Sequence, residues 1–144
     1  MEKRFRMNRY EQLINMALEA RVMAYTPYSH FKVGAALLAK NGIVYKGCNV
    51  ENASYPATNC AERTAVFSAV AEGQKEFEAI AIVGGAENAE ELDFCPPCGI
   101  CRQVLREFCV PEKFEVIVAK SATEYKVFTL EQLLPESFGP ENLA

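Results

Sequence analysis

The first regular pattern along the chain is that of an amphipathic helix. Its apolar side chains recur at intervals of three and four positions: Tyr10, Leu13, Ile14, Ala17 and Leu18. This spacing lines one face of a helix over roughly residues 9–24. Pro27 disfavours helical geometry in the residue before it, so we expect the helix to end upstream of that proline.

A β-hairpin signal follows this helix. Apolar and β-branched residues dominate positions 31–40 and 43–50, and Asn41-Gly42 stands between the two runs. Asn and Gly tolerate the positive φ angles of the tight turn that joins two antiparallel strands. The pattern therefore predicts an antiparallel pair of strands here.

Helical and strand patterns alternate through the rest of the chain. Helices are predicted at residues 60–73 and 98–109, and one or two helical turns at residues 129–135. Three further runs predict strands: residues 77–85, 114–120 and 124–129. Such alternation is typical of an α/β sandwich built on a mixed sheet.

The composition fits one domain and argues against several classes of protein. The chain has 144 residues, of which 50% are hydrophobic and 24% charged, so we expect a single domain over residues 1–144. The apolar runs are too short for a transmembrane helix, and the amino terminus lacks the apolar centre of a secretory signal. The net charge of −4 argues against attraction to nucleic acid or to an anionic membrane. We therefore expect a cytoplasmic protein without either partner.

The cysteines are the strongest chemical signal in the sequence. There are six of them and only one histidine, and grouped cysteines in a reducing compartment favour metal binding or catalysis over disulfides. Cys60 opens one predicted helix, and Cys98 and Cys101 open another. A helix amino terminus favours the thiolate, which is the form that binds metal. Cys98 and Cys101 have chelating spacing, and Cys60 supplies a third sulfur if the two helix starts meet.

A zinc ion with three protein ligands keeps a fourth position for water, which is the arrangement of a catalytic site. Glu62 lies two residues after Cys60, close enough to exchange protons with that water without binding the metal. Three thiolates and Zn²⁺ sum to a charge of about −1, which works against ionisation of the water. We expect Arg63 and Arg102 to donate to the ligand sulfurs and offset this charge, with Arg63 the preferred of the two.

At this point the sequence resembles a known family. The segments "CAER" and "PCGICRQ" are similar to those of the zinc-dependent cytidine deaminases, in particular the short, homotetrameric kind that uses three cysteines. The segments "AYTPYSHFKVGAALL", "GCNVENASYP" and "EQLLPESF" also match, in the same order, so that the resemblance covers residues 10–138. Residues 1–6 extend beyond the usual start of the family. The resemblance implies a three-layer α/β/α sandwich with a mixed five-stranded sheet.

The resemblance also implies a function and a site. Free cytidine and deoxycytidine would be deaminated by water to uridine and deoxyuridine in pyrimidine salvage, with one Zn²⁺ per chain and a homotetramer as the active unit. The implied zinc ligands are Cys60, Cys98 and Cys101, with Glu62 as the proton carrier. The implied substrate contacts are Phe31 against the base, Asn49 and Glu51 on the ribose hydroxyls, and the backbone around Ala61 on the base.

Several alternatives stay open on the sequence alone. Cys95 stands at the same spacing from Cys98 as Cys98 does from Cys101, although two prolines lie between Cys95 and Cys98. Cys48 or Cys95 could close a structural four-cysteine zinc site, which would be inert and would not need Glu62. Within the deaminases, an RNA or DNA substrate is disfavoured by the acidic charge. A nucleoside antibiotic such as blasticidin S ranks second to cytidine as the substrate.

Overall fold

The computed structural model describes residues 8–144, so the predicted extension at residues 1–6 lies outside the described part. The helices are α1 (Arg9–Arg21), α2 (Ala61–Ala71), α3 (Gly99–Arg106) and α4 (Leu130–Leu133). The strands are β1 (Phe31–Ala39), β2 (Val44–Cys48), β3 (Phe77–Ala86), β4 (Glu115–Ser121) and β5 (Glu124–Thr129). No helix in the described residues has both the length and the apolar character to cross a membrane.

The five strands form one mixed sheet in the order β2-β1-β3-β4-β5. β1 pairs antiparallel with β2 and with β3, β3 pairs parallel with β4, and β5 returns antiparallel to β4. Gly42 has a φ of 89° in the turn between β1 and β2, as the hairpin signal predicted. The predicted mixed five-stranded sheet is confirmed.

Helices cover both faces of the sheet, which confirms the predicted three layers. Alternate residues of a strand point to opposite faces, so neighbouring positions of β1 belong to different cores. Ala36 packs with Leu13 and Ile14 of α1, whereas Leu37 packs with the buried residues of α2 and with Leu105 of α3. The helices α2 and α3 therefore share one face of the sheet, and both helix amino termini can approach each other there.

Two predicted helices end earlier than their hydrophobic patterns suggest. The helix α1 stops at Arg21 because the amides of residues 22–24 bond to carbonyls only three positions back. The helix α3 stops at Arg106 for the same reason, since the amides of Glu107 and Phe108 bond to Val104 and Leu105. The apolar spacing continues through these tighter turns, so the pattern alone overestimates the length of each helix.

Glycines let the helices lie unusually close to the hairpin strands. A Cβ at Gly34 in β1 would lie 2.5 Å from the amide nitrogen of Arg21 in α1. A Cβ at Gly47 in β2 would lie 2.5 Å from the amide nitrogen of Ala65 in α2. The backbone of α2 therefore rests directly on β2, and this contact sets where the first turn of α2, with Cys60 before it, is placed.

Candidate metal centre

Three cysteines meet at the amino termini of α2 and α3. Cys60 is the N-cap of α2 and Cys98 is the N-cap of α3, and neither side chain makes a capping hydrogen bond. Cys101 lies in the first turn of α3 and is fully buried. The Sγ atom of Cys98 lies 3.9 Å from that of Cys60 and 3.4 Å from that of Cys101, and all three lie within 4.8 Å of one another.

The donor set and its spacing fit zinc. Zinc–sulfur bonds of about 2.3 Å in a tetrahedron place two sulfurs about 3.8 Å apart, close to the separations observed. Thiolates are soft ligands that select zinc over hard cations such as Mg²⁺. Three protein ligands also leave one of the four tetrahedral positions open. Cys60, Cys98 and Cys101 therefore fit one Zn²⁺ per chain.

The other cysteines lie outside this cluster. Among the described residues, the group that could hold a metal contains neither Cys48 nor Cys95, so no fourth sulfur closes the site. Cys95 packs against β3, where a Cβ at Gly84 would lie 2.8 Å from its Sγ. Burial raises the pKa of Cys95 to about 11 and that of Cys109 to about 12, so both stay neutral thiols at pH 7. The structural four-cysteine alternative finds no support in this geometry.

Glu62 brings a buried carboxyl group to the cluster. It lies in the first turn of α2, two residues after Cys60, and is only 5% exposed. Burial raises the pKa of the Glu62 carboxyl to about 7, and the negative charge of Cys60 acts in the same direction. Cys60 and Cys101 are among the groups that shift this pKa, so the carboxyl of Glu62 lies near both side chains. A carboxyl group with a pKa near neutrality can both accept and release a proton.

Arg63 supplies the positive charge that the cluster needs. Its Nη2 donates to the Sγ of Cys60 at 3.3 Å. Among the described residues its Nε is buried without a partner, so one further donor remains available. A hydrogen bond from Cys101 and then one from Arg63 lower the pKa of Cys60 to about 5, which keeps that sulfur a thiolate at pH 7. Arg63 therefore contacts one of the three clustered sulfurs, and its role in offsetting the charge of a metal site stays a prediction.

Arg102, the second arginine expected to donate to a ligand sulfur, makes different contacts in this structure. Its Nε donates to the carbonyl of Pro97 at 2.8 Å, and its Nη1 donates to the carbonyl of Leu133 at 2.6 Å. The guanidinium of Arg102 therefore binds backbone near the start of α3 and at the end of α4.

This part of the chain matches a known family. Residues 7–118 match the family model described as "Cytidine and deoxycytidylate deaminase zinc-binding region", and they include all three clustered cysteines. The chain belongs to this deaminase family.

Relatives match the deaminase chain over nearly its full length. It is 46% identical to a cytidine deaminase of Sporosarcina psychrophila over 93% of this chain and 94% of the relative. It is also 46% identical to one from Halalkalibacterium halodurans over 92% of this chain and 96% of the relative. The crystal structure of cytidine deaminase from Burkholderia pseudomallei superposes with a TM-score of 0.80 at 47% identity, covering 92% of this chain and 100% of that one.

The predicted substrate residues lie at the start of β1, just after β2 and at the start of α2. Phe31 is the first residue of β1 and is 42% exposed. The side chain of Asn49 accepts from the amide of Val33 at 2.9 Å and donates to the carbonyl of Phe31 at 2.8 Å. Val50 and Asn59 exchange two backbone hydrogen bonds of 2.9 and 3.0 Å. This bridge places Asn49 and Glu51 beside the segment that leads into Cys60.

Glu51 is oriented by a residue that the sequence reasoning missed. Its carboxylate accepts from the amides of Tyr28 and Ser29 at 3.0 and 3.1 Å, and also from the hydroxyl of Ser29. The Ser29 hydroxyl bond is the main cause of the lowered pKa of Glu51. A serine in a turn after a proline carries no distinctive signal, so only the fold shows its partner. Ala61, the first residue of α2, is fully buried beside the cluster.

We expect the three clustered cysteines, and not Cys95, to retain zinc. Cys98→Ser removes one of the three sulfurs, and zinc content measured by elemental analysis should fall well below one ion per chain. Cys95→Ser is the matched control: it is three residues away, it changes the same atom, and it should keep its zinc. Zinc loss in Cys95→Ser with retention in Cys98→Ser would overturn the ligand assignment.

Arg63→Gln should keep zinc because all three sulfurs remain, yet it should slow the reaction about 10–100-fold, as is typical when a group that bonds to a metal ligand is lost. Arg102→Gln is the comparison variant, because the guanidinium of Arg102 donates to the carbonyls of Pro97 and Leu133 and not to a sulfur. We expect its rate to fall less than that of Arg63→Gln. The measurement is kcat/KM with zinc content determined in parallel. A large loss in Arg102→Gln with an unchanged Arg63→Gln would transfer the role to Arg102.

Proposed function

We propose that this protein, as a single domain over residues 1–144, catalyses the zinc-dependent deamination of free cytidine and deoxycytidine by water. The observation that carries the proposal is the buried Glu62 carboxyl beside three clustered thiols that fit zinc. Its full-length relatives, which carry the name cytidine deaminase, support the same reaction. A site of three thiols requires reducing conditions, which supports a cytoplasmic role in pyrimidine salvage.

The proposed chemistry divides between the metal and Glu62. When bound to three cysteines, zinc supplies a Lewis acid that activates a water molecule. Glu62 takes a proton from the attacking water and delivers it to N3 of the cytosine ring. The water oxygen bonds to C4, and Glu62 then carries the second proton of that water to the amino group as the bond from C4 to its nitrogen breaks. Ammonia leaves and a carbonyl remains at C4, so cytidine and water become uridine and ammonia.

The pKa of Glu62 suits this double role. A group that must accept and donate a proton at pH 7 works best with a pKa close to 7. Burial moves the pKa of Glu62 to about 7. An exposed glutamate would have a pKa of about 4.3 and would be a poor proton donor at pH 7. The burial of Glu62 in the first turn of α2 is therefore part of the proposed mechanism.

The predicted substrate residues suit a free nucleoside. The exposed ring of Phe31 can lie against the flat base. Each amide atom of Asn49 uses one of its hydrogen-bonding positions on the backbone, and each keeps a second for a ribose hydroxyl. Glu51 adds a carboxylate acceptor, and the backbone at Ala61 offers contacts to the base. The carboxylate of Glu51 and a net charge of −4 oppose a polynucleotide, which supports the absence of a nucleic acid partner.

We also propose that the active unit is a homotetramer. Exposed aromatic side chains lie on or near the segments of the site, with Tyr55 at 71% and Phe138 at 58% exposure. The N-cap Cys98 is exposed as well. A second copy of the chain that covers these groups would exclude water from the site.

Glu62→Gln tests the reaction directly. The amide has the shape of the acid but cannot carry protons, so turnover should fall about 10²–10⁴-fold while zinc content and fold are kept. The measurement is the ultraviolet change on addition of cytidine or deoxycytidine to the purified protein, with blasticidin S and single-stranded DNA as comparison substrates. A wild-type protein that changes neither nucleoside would overturn the proposed function, and normal turnover in Glu62→Gln would remove Glu62 from the mechanism.

Sedimentation at assay concentration tests the assembly. A homotetramer should sediment at about four times the mass of the chain, which is 16.0 kDa. Tyr55→Ser and Phe138→Ser should shift the distribution towards smaller species and lower the activity with it. Val127→Ser is a control, because this residue is also an exposed hydrophobic but lies on the edge strand β5. A fully active monomer would contradict the proposal.

A further inference from the structure

The helix α3, which has Cys98 as its N-cap and contains Cys101, is short and buries few of its own side chains. α3 is eight residues long, and only Cys101, Leu105 and Arg106 are buried on it. Residues 87–98 before it contain neither helix nor strand, apart from one bridge between Asp93 and Gly84. The chain on its amino-terminal side therefore offers α3 no adjoining helix or strand. Contacts with other segments must then help to fix the direction in which Cys98 and Cys101 point.

The polar side chains of α3 are bound by the end of the chain. We define residues 133–142 as the carboxy-terminal strap. Arg102 donates to the carbonyl of Leu133 at 2.6 Å, and Gln103 donates to the carbonyl of Phe138 at 2.9 Å. Arg106 donates from Nε to the hydroxyl of Ser137 at 2.7 Å and from both Nη atoms to the carboxylate of Glu141. Three side chains from two successive turns thus attach to one segment.

Arg106 is the centre of this attachment. Only 7% of the residue is exposed, so its charge needs a partner, and Glu141 supplies one. The backbone of Gly139 lies directly on the guanidinium, because a Cβ there would lie 2.5 Å from Nη1 and 2.6 Å from Nη2. The backbone of the strap therefore packs directly against the Arg106 guanidinium, so the positions of the strap and of this side chain depend on each other.

We propose that Arg106 is a positioning residue: through the strap it holds α3 so that Cys98 and Cys101 stay at ligand distance from Cys60. A helix is stiff over two turns, so an anchor at Arg106 also limits rotation at Cys101 and Cys98. The strap thereby slows the release of zinc without providing a ligand. This inference rests on the zinc centre of the proposed function. It adds the strap as a second determinant of zinc retention, and the strap begins more than 30 residues after Cys101 in the chain.

The test is the rate at which a chromogenic chelator removes zinc from the full-length, zinc-loaded protein at 25 °C. Arg106→Gln should release zinc about 10–100-fold faster, the range typical for groups that support metal ligands. Arg106→Lys keeps the charge but loses the two-pronged contact, so its rate should be intermediate. If Arg106→Gln does not fold, Glu141→Gln tests the same ion pair between Arg106 and Glu141. The side chain of Glu141 is largely exposed, so its replacement should be tolerated by the fold. The double variant should release zinc no faster than Arg106→Gln, because both changes remove one interaction.

Leu13→Ala separates positioning from general stability. Leu13 is buried on the opposite face of the sheet, in the core beneath α1, and its loss should lower Tm without touching α3. Its zinc release should match the wild type. Equal acceleration in Leu13→Ala, or unchanged release in Arg106→Gln with a normal zinc content, would overturn the role of the strap. Absence of zinc from the wild-type protein would overturn the proposed function as well, so the two failures are distinguishable.

Discussion

Three sulfur atoms within 4.8 Å of one another are the constraint on which the rest of the site depends. Thiolates repel each other at this distance, and repulsion grows where protein replaces water. Two helix amino termini and the half-buried Arg63 provide opposing positive charge, and a bound divalent cation would add to it. Within the protein alone, Cys60 has a lowered pKa and Cys101 a raised one, because a hydrogen bond between them leaves the proton on Cys101. Bound Zn²⁺ would favour the thiolate form of all three cysteines, so that Cys60 and Cys101 would no longer share a proton.

The sheet provides the rigid frame that brings the two helix starts together. The close contact of Gly47 with α2 sets the height of that helix above β2, and the bridge between Val50 and Asn59 fixes the segment before Cys60. The bridging residue Val50 lies between Asn49 and Glu51, so the residues proposed to bind substrate and the segment before Cys60 share one support. A small shift of the hairpin would therefore disturb both functions together.

The parts of the molecule that sequence predicts well are those fixed by neighbours in the chain. The features set by local sequence are the Asn41-Gly42 turn, the N-cap positions of Cys60 and Cys98, and the spacing of Glu62 from Cys60. The strand order and the partners of Ser29 and Arg102 are not set locally, because they depend on segments far away in the chain. Arg102 shows the difference clearly: its sequence position suggests a ligand sulfur as its partner, but its side chain donates to the carbonyl of Leu133, which no local pattern reveals.

This contrast also divides the metal centre into two unequal halves. In α2, a single turn carries the ligand Cys60, the carboxyl of Glu62 and the arginine that donates to the sulfur, so that half is encoded locally. In α3, the chelating pair is local, but the position of the helix depends on contacts with residues 133–142. Three thiolates, Zn²⁺ and Arg63 sum to a charge of about zero, so the buried carboxyl of Glu62 faces a nearly neutral group once metal is bound. That balance holds only while both helices keep their sulfurs together, so the tail of the chain belongs to the site as much as the motif does.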